Sequence, residues 1–250
     1  MTFLFEENTS MRIEEVLLQE DLKWYNADYK FVHCDKDRLS RISKHRRNHY
    51  WIPVGTLDFV QEALRVFYGV EKINPIEIPK CLRKPAFLGR SYSFVQKENL
   101  PKSGVYFIKH VEEVKGFSYS GDINEIHNFI KELPDGLYQV SDFVPDIVSE
   151  WRAYISRNKI LSICNYAGQK SIYPDSELIK RMIDVYQFDE NKPDSYTMDL
   201  AVTNSGKTIL IEIHPFVSVG LYGTLFNNKL PLCYFDGIRW CVEKNLPIEQ

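Results

Sequence analysis

Two neighbouring segments near the end of the sequence alternate between apolar and polar residues with the period of a β-strand. Residues 196–203 and 207–213 are therefore predicted to be strands, and the serine–glycine pair at 205–206 is typical of a tight hairpin turn. In a hairpin with a two-residue or a four-residue loop, Asp199 lies directly opposite Glu212, whereas a three-residue loop breaks this register. This predicted pairing of two carboxylates constrains the chain more than any other feature.

The alternation also predicts which side chains share a face. In the second strand, Ile209, Ile211 and Ile213 form the apolar face, and Glu212 and His214 lie on the other face. Two carboxylates that face each other across a strand pair are about 5 Å apart and destabilise the sheet unless a cation compensates them. Magnesium typically binds one or two carboxylates together with substrate phosphates. The hairpin therefore predicts a divalent metal site, with a solvent-facing acidic pair as the alternative.

A second charged pattern lies upstream. Residues 105–109 predict a short strand that ends at Lys109, and the polar loop predicted at 111–121 contains glycines and a second lysine, Lys115. A lysine at the end of a strand, followed by a flexible loop, can hold a polyphosphate through point charges and backbone N–H groups. The Walker phosphate-binding motif does not occur in the sequence. These lysines predict a phosphate site of another kind, with solvated surface charges as the alternative.

The other periodic segments predict a fold in which hairpins are mixed with isolated helices. The predicted strands are 50–55, 138–144, 149–155 and 160–167, and the predicted helices lie between Thr56 and Gly69 and over 122–133, 175–188 and 231–244. This mixture indicates the α+β class rather than a doubly wound sheet. Turn residues at 101–104 predict a boundary between an N-terminal α/β region, 1–103, and a second region, 104–250.

Charge and composition exclude some classes of protein. Lysine and arginine number 31 against 34 acidic residues, a net charge of −3, which argues against a surface devoted to nucleic acid or to a membrane. One local exception, the basic run 36–47, makes binding of nucleic acid or an anionic partner an alternative function. The five cysteines have no paired spacing, and the sequence has neither a signal-peptide pattern nor an apolar run of roughly 20 residues. We therefore expect a cytoplasmic protein without a membrane partner.

Taken in order along the chain, these features resemble the ATP-grasp family, in particular its clade named for one arginine and two lysines. The resemblance covers about half of the chain, 105–223. Lys109 and Lys115 are similar to the two lysines that bind nucleotide phosphates in this clade, and the second is implied to be catalytic. Strand 149–155 is similar to the glutamate-x-arginine strand of the clade, which makes Arg152 the catalytic arginine of the family.

The resemblance also gives the facing carboxylates a role. Asp199 and Glu212 match the two metal-binding acids on the last strands of the family. The family usually has an asparagine two residues after the second acid, whereas this sequence has His214. Magnesium prefers oxygen ligands, and imidazole suits softer ions better. His214 is therefore expected to be a third ligand of Mg²⁺ or of Mn²⁺, or else to mark a site that has lost part of its metal function.

In proteins of this family, the adenine of ATP lies in a hinge between two α+β lobes and is held by backbone groups. Residues 138–144 are similar to the hinge strand, which implies that Asp142, Phe143, Val144 and Asp146 contact the nucleotide cofactor. The fold implied by the resemblance is therefore the ATP-grasp fold, in which two α+β lobes grip the nucleotide beside an N-terminal α/β region.

The resemblance implies an ATP- and magnesium-dependent ligase that joins a carboxylate to an amine or a thiol through an acylphosphate. Its partners are a nucleotide and a small-molecule or peptide substrate, with peptide or amino-acid ligation as one form of the reaction. Arg152 is expected to stabilise the charge of the transferring phosphoryl group, and Glu150 to orient the guanidinium. Because of His214, a domain that binds ATP without catalysis is the alternative. We expect residues 1–100 and 217–228 to select the substrate.

Overall fold

The computed structural model describes residues 1–7, 13–45, 49–112, 116–222, 226 and 228–245, without the side chains of residues 13 and 45. Lys115, the second predicted phosphate lysine, lies outside these residues, and so do Arg46 and Arg47 of the basic run. The described residues form three β-sheets. Within these ranges, no helix has the length and apolar character that a membrane span requires.

The N-terminal unit is a small parallel sheet with helices between its strands. In chain order its elements are β1 (Thr2–Glu6), α1 (Ile13–Tyr25), β2 (Asp28–Val32), α2 (Lys36–His45), β3 (Trp51–Val54) and α3 (Leu57–Tyr68). The strand order is β2-β1-β3, and parallel neighbours of this kind need crossover connections. Helix α3 has its predicted ends, since Thr56 accepts a hydrogen bond from the N–H of Phe59, and Gly69 has a φ of +70°.

The second unit is a four-stranded antiparallel sheet. Its elements are the short helix α4 (Pro85–Leu88) and the strands β4 (Tyr92–Gln96), β5 (Val105–His110), β6 (Ser118–Asp122) and β7 (Leu137–Asp142). The strand order is β4-β7-β5-β6. The prediction of a loop over 111–121 was wrong at its end, because residues 118–122 pair with β5 and complete the hydrogen bonds of that strand.

The predicted helix over 122–133 is replaced by two 3₁₀ turns, Ile123–Ile126 and Ile130–Glu132. Asp122 does cap this segment, since its side chain accepts a hydrogen bond from the N–H of Asn124. Several apolar residues of the segment are three positions apart, which fits the 3.0 residues per turn of a 3₁₀ helix as well as it fits an α-helix. The apolar pattern alone therefore does not separate the two structures.

The third unit contains the two predicted hairpins and two helices. Its elements are β8 (Ile147–Ser156), β9 (Lys159–Gly168), α5 (Ser176–Tyr186), β10 (Ser195–Thr203), β11 (Thr208–Pro215) and α6 (Leu230–Asn245). The strands are antiparallel in the order β11-β10-β8-β9. Helix α5 begins after the N-cap Asp175 and buries Ile179 and Met182 against this sheet. Both hairpins and both helices are confirmed.

The last hairpin brings Asp199 opposite Glu212, as predicted, but by a different route. Its loop has three residues, 204–206, instead of two or four. Leu200 therefore pairs with Leu210, whereas the predicted register pairs it with Ile211. A β-bulge between these two pairs adds one residue to β11 and restores the predicted pairing of the carboxylates.

The bulge residue is Ile211, and it changes which residues share a face. Leu210 is fully buried in the core, whereas Ile211 lines a cavity together with Glu212. The prediction that Ile209, Ile211 and Ile213 form one apolar face was therefore wrong, because the extra residue interrupts the strict alternation of a strand.

The first and third units share one hydrophobic core, in which Phe3 lies in the same cluster as Phe216 and Ile238. Strand β4 precedes the predicted boundary at residue 103, yet it pairs with β7, which follows that boundary. The α+β class is confirmed. The division of the chain at residue 103 stays a prediction. Both the shared hydrophobic core and the pairing of β4 with β7 cross this boundary.

Candidate active site

Arg152 and Asp199 form a buried ion pair because their strands, β8 and β10, place them directly opposite each other. The guanidinium donates two hydrogen bonds to the carboxylate, Nε to Oδ1 and Nη2 to Oδ2, both at 2.7 Å. The exposed fractions of the side chains are 11% for Arg152 and 4% for Asp199. Burial acts to lower the pKa of Arg152, but the hydrogen bonds and the charge of Asp199 outweigh it, so the pKa is raised.

Glu212 is held by two side chains, which come from different sheets. Lys109, on β5, donates from Nζ to Oε2 at 2.5 Å, and His214, on the same strand as Glu212, has Nε2 at 2.8 Å from Oε1. Burial acts to raise the pKa of Glu212. The hydrogen bonds and charges of His214 and Lys109 outweigh this effect, so the pKa lies well below its usual range. The Lys109 contact joins the second unit to the third at this carboxylate.

Asp199, Glu212 and His214 have the geometry of a metal-binding group. One ligand atom from each residue lies within 4.8 Å of the other two. Two carboxylate oxygens suit Mg²⁺, and the imidazole nitrogen suits Mn²⁺ and similar ions better. The donor set therefore fits a divalent cation, which must share these oxygens with Arg152 and Lys109.

Four of these residues, Lys109, Arg152, Glu212 and His214, line one cavity of about 600 Å³ to which all three units contribute, and Asp199 lies buried beside it. The second unit supplies Lys109, and the third supplies Arg152, Glu212 and His214. The N-terminal unit and the segment after it supply an apolar wall that includes Leu57. The cavity thus combines charged groups suited to phosphate and metal with an apolar side.

Arg90, which sequence reasoning missed, holds the bulge beside Glu212. Its guanidinium donates to the carbonyl oxygens of Leu210 at 2.8 Å and of Ile211 at 3.2 Å. Burial lowers the pKa of Arg90. No pattern in the sequence predicts this contact, because its partners are backbone carbonyls that a bulge places side by side.

Tyr166 and Tyr222 were also missed. Their rings stack with centroids 5.3 Å apart, and the guanidinium carbon of Arg152 lies 5.3 Å from the Tyr222 ring and 5.8 Å from the Tyr166 ring. A bulge in β9 leaves Tyr166 as the extra residue between the positions that face Glu150 and Trp151. Tyr166 therefore lies beside Glu150, the residue that its hydroxyl contacts.

Glu150 differs from its predicted role. Among the described residues it forms no ion pair, and Arg152 pairs with Asp199 instead. The hydroxyl of Tyr166 donates to Oε2 of Glu150 at 2.8 Å. The prediction that Glu150 orients the guanidinium was wrong, because Asp199 lies directly opposite Arg152 on β10 and accepts its hydrogen bonds.

The predicted hinge residues lie at the end of β7 and after it, outside the cavity. None of these four described residues lines it. The Asp142 carboxylate accepts a hydrogen bond from the N–H of Ser91 at 3.0 Å, and the hydrogen bonds of Ser91 lower its pKa. Phe143 is exposed, Val144 is half-buried, and the carbonyl of Asp146 accepts a hydrogen bond from a neighbouring loop. Contact of these residues with adenine stays a prediction.

The basic run lies on the surface, with its described part on α2. Lys36, Arg38, Arg41 and Lys44 are exposed, and none of these described residues lines the cavity. The described part of the run is therefore separate from the candidate active site.

An antiparallel sheet facing a second sheet across a cavity, with a basic strand end on one side and acids on the other, is the arrangement expected of the ATP-grasp fold. The chain belongs to the ATP-grasp domain family, in the second family of the clade named for one arginine and two lysines, whose sequence model matches residues 87–230. The match begins upstream of the predicted boundary at residue 103 and includes every residue of the charged cluster. The family and fold inferred from the sequence are confirmed.

Solved structures have the same fold over nearly the whole chain. D-alanine–D-alanine ligase from Bacillus anthracis complexed with ATP is 14% identical, with a TM-score of 0.57, and the match covers 98% of this chain and 99% of that one. L-amino acid ligase from Bacillus licheniformis is 10% identical, with a TM-score of 0.58 over 95% of this chain and 74% of that one.

A third similar structure is the macrocyclase MdnC bound with precursor peptide MdnA from Microcystis aeruginosa MRC. It is 11% identical, with a TM-score of 0.52, and the match covers 93% of this chain and 98% of that one. At these identities the likeness shows the fold alone. No curated protein is significantly similar in sequence.

Proposed function

We propose that this protein is an ATP- and Mg²⁺-dependent ligase that joins a carboxylate to an amine through an acylphosphate. The observation that carries the proposal is the convergence of Lys109, Arg152, Glu212 and His214 at one cavity, where buried Asp199 completes the metal-binding group behind them. Membership of the ATP-grasp family supports ATP as the nucleotide. The names of the similar structures, two amino-acid ligases and a peptide macrocyclase, support an amino acid or a peptide as substrate.

Each charged residue has a role that its position supports. Lys109 supplies a positive charge to the phosphates from the strand end of the second unit, and Lys115 is the proposed second phosphate lysine. Asp199, Glu212 and His214 hold the metal, which neutralises phosphate charge when bound. Mn²⁺ is an alternative to Mg²⁺ because of the imidazole donor.

The reaction needs two displacements. An oxygen of the substrate carboxylate attacks the γ-phosphorus of ATP, the bond from that phosphorus to the bridging oxygen breaks, and ADP leaves. The amine then attacks the acyl carbon, phosphate leaves and the amine loses a proton. Arg152, fixed by Asp199, is placed to stabilise the negative charge on the transferring group, because phosphoryl transfer depends mainly on position and charge neutralisation.

A thermal-shift measurement tests the nucleotide and metal assignment. Mg-ATP at 100 times its Kd is expected to stabilise the folded protein by about 2.7 kcal/mol, because it binds the folded state preferentially. Replacing Mg²⁺ by EDTA is expected to reduce this shift in the wild type. In the double variant Asp199→Asn, Glu212→Gln the shift is expected not to depend on Mg²⁺. A magnesium response in the double variant equal to that of the wild type would contradict the metal assignment.

A second candidate function is nucleotide binding without turnover. The observation in its favour is that both oxygens of Asp199 already accept hydrogen bonds from Arg152. The two candidates differ in ADP formation. A ligase forms ADP and phosphate from ATP only when a suitable carboxylate and amine are present, whereas a binding domain gives the same thermal shift and no ADP with any pool of amino acids, peptides and carboxylates.

A further inference from the structure

Glu150 is an acid of the cavity that the proposed phosphate and metal chemistry does not use. It lies on β8 two residues before Arg152, and its side chain lines the same cavity. The other two acids there are already compensated, since Asp199 pairs with Arg152 and Glu212 pairs with Lys109 and His214. In the part of the chain that the structure describes, no basic side chain lies within ion-pair distance of Glu150. The cavity therefore presents one carboxylate without a counter-charge.

This carboxylate is held in a fixed position. The Tyr166 hydroxyl donates to Oε2 at 2.8 Å, and Oε1 accepts no hydrogen bond from any described residue. Tyr166 stacks on Tyr222, so the phenol that holds Glu150 is itself fixed. Burial, together with the charges of Asp199 and Glu150, raises the pKa of Tyr166, so this phenol stays protonated and remains a donor.

The surroundings of Glu150 are suited to an organic cation rather than to a metal ion. Tyr166 and Tyr222 both line the cavity, and their rings already accept one cation, since the guanidinium carbon of Arg152 lies 5.8 Å and 5.3 Å from their centroids. Leu57, Ile73 and Ile76 form an apolar part of the same lining. A molecule with an ammonium group beside an aliphatic body matches these groups, whereas a metal ion needs more oxygen donors than one carboxylate provides.

We propose that Glu150, Tyr166 and Tyr222 form a cation subsite that binds an ammonium group of the substrate and so sets specificity for substrates carrying a free amino group. As the subsite of a ligase, it rests on the proposed function. The ammonium pairs with Oε1 of Glu150 and packs against the two rings, and the aliphatic part of the substrate lies on the apolar wall. An uncharged analogue of the same shape loses this pairing and leaves Oε1 of Glu150 without a partner.

Matched probes test this subsite directly. L-leucinamide and L-alaninamide carry the ammonium group, whereas N-acetyl-L-leucinamide and N-acetyl-L-alaninamide have the same side chains without the charge. Titration calorimetry with the full chain is expected to show at least tenfold tighter binding of each free amine than of its acetylated form. Glu150→Gln is expected to remove this difference, and Glu150→Asp to keep part of it.

Two further variants separate a specific subsite from a general effect. Tyr166→Phe removes only the hydroxyl that holds Glu150 and is expected to weaken binding of the free amines severalfold. Glu177→Gln makes the same charge change on the exposed face of α5, where Glu177 pairs with Lys180, and is expected to change nothing. Equal binding of free and acetylated probes to the wild type, or a preference that survives in folded Glu150→Gln, would overturn the proposal.

The wild-type response to Mg-ATP, measured separately, tests the proposed function alone. Amine binding that depends on Glu150 in a protein without an Mg-ATP response leaves the subsite in place and removes the ligase proposal. An Mg-ATP response without discrimination between the probes removes the subsite and leaves the ligase proposal in place.

Discussion

The two acids proposed to bind the metal, Asp199 and Glu212, are held in different ways, and this difference decides what each contributes to the structure. Asp199 is held by both donors of one guanidinium, from the strand next to its own. Glu212 is held by single contacts from Lys109 and His214, one of which crosses between sheets. The first pair therefore stabilises the third unit internally, whereas the second links two units at the point proposed for phosphate.

Removing one partner of the Arg152–Asp199 pair is expected to be costly. Arg152→Gln leaves a buried carboxylate unpaired and is expected to lower the free energy of unfolding by about 3–5 kcal/mol. Asp199→Asn in the same background removes that carboxylate, and the double variant is expected to be about 1–3 kcal/mol more stable than the sum of the single effects. Urea denaturation of the four proteins measures the coupling, and simple additivity would contradict the ion pair.

Asp236 gives a stability effect that depends on pH, away from the cavity. It is fully buried on α6, where burial raises its pKa although Ser195 donates to it and Arg157 and Arg239 lie nearby. The carboxyl group of Asp236 therefore binds a proton more tightly in the folded protein than in the unfolded chain, where the pKa of an aspartate is about 3.9. Below about pH 3.9 Asp236 is protonated in both states and does not change the free energy of unfolding with pH. As pH rises from this value through the pKa of Asp236 in the folded protein, the free energy of unfolding falls.

The variant Asp236→Asn removes this titration. We expect the variant to gain stability relative to the wild type as pH rises from about 4 through the raised pKa, because only the wild type must ionise a buried group. Free energies of unfolding at several pH values between about 4 and 7 measure the difference. A difference that is constant over this range, or that shrinks with rising pH, would contradict the raised pKa.

Among the elements, β11 depends on a side chain from the second unit. The fork of Arg90 reaches two successive carbonyls at the bulge, which a lysine cannot do. Arg90→Lys is expected to lower the free energy of unfolding by about 1–3 kcal/mol, since one buried carbonyl loses its donor. It is also expected to weaken the magnesium dependence of the Mg-ATP shift, although Arg90 touches neither acid.

Arg181→Lys provides the matched control for this prediction. Arg181 is exposed on α5, so the same substitution there is expected to leave both stability and the magnesium dependence unchanged. If Arg90→Lys behaves like Arg181→Lys, the carbonyl contacts at the bulge do not position Glu212.

The end of β9 depends on a glycine. Gly168 has a φ of +71°, and a Cβ added there would lie 2.2 Å from the carbonyl oxygen of Val148. Gly206 has a φ of +80°, and nothing lies within 4 Å of its added Cβ. Gly206→Ala is expected to lower the free energy of unfolding by about 1–2 kcal/mol, because an alanine is strained in the left-handed backbone conformation. Gly168→Ala is expected to cost clearly more in thermal or urea unfolding, and equal costs would contradict the close approach.

Sequence periodicity predicted the strands that carry the charged cluster, but it gave no bounds for β1, α1, β2 and α2, and it predicted a helix where two 3₁₀ turns lie. The strands around Asp199, Arg152 and Lys109 were predicted from the alternation of apolar and polar residues. The pairing of the last two strands predicted that Asp199 lies opposite Glu212. Ile211 and Tyr166 lie at bulges, and nothing in the apolar pattern places an extra residue at one position rather than the next. The partner of Arg152 was predicted wrongly for another reason, because it depends on the register between β8 and β10, which are distant in sequence.

At the scale of the whole molecule, the cavity lies where three units meet. The N-terminal unit and the segment after it supply the apolar wall, the second unit supplies Lys109, and the third supplies Glu212 and Arg152. Helix α6 and the segment after β11 pack into the core of the N-terminal unit, which fixes the wall against the charged cluster. Substrate selection and phosphate chemistry are thus proposed to occur in one cavity whose parts come from distant stretches of sequence.

Trapping the acylphosphate tests the central claim most directly, because it does not require the natural amine. The protein is incubated with Mg-ATP, hydroxylamine and a pool of amino acids, short peptides and other carboxylates, and acyl hydroxamate and ADP are measured together. We predict equal amounts of hydroxamate and ADP from the wild type with at least one carboxylate, and neither from the Asp199→Asn, Glu212→Gln double variant. A wild-type protein that binds Mg-ATP but forms no hydroxamate with any member of the pool would contradict the claim that it activates carboxylates.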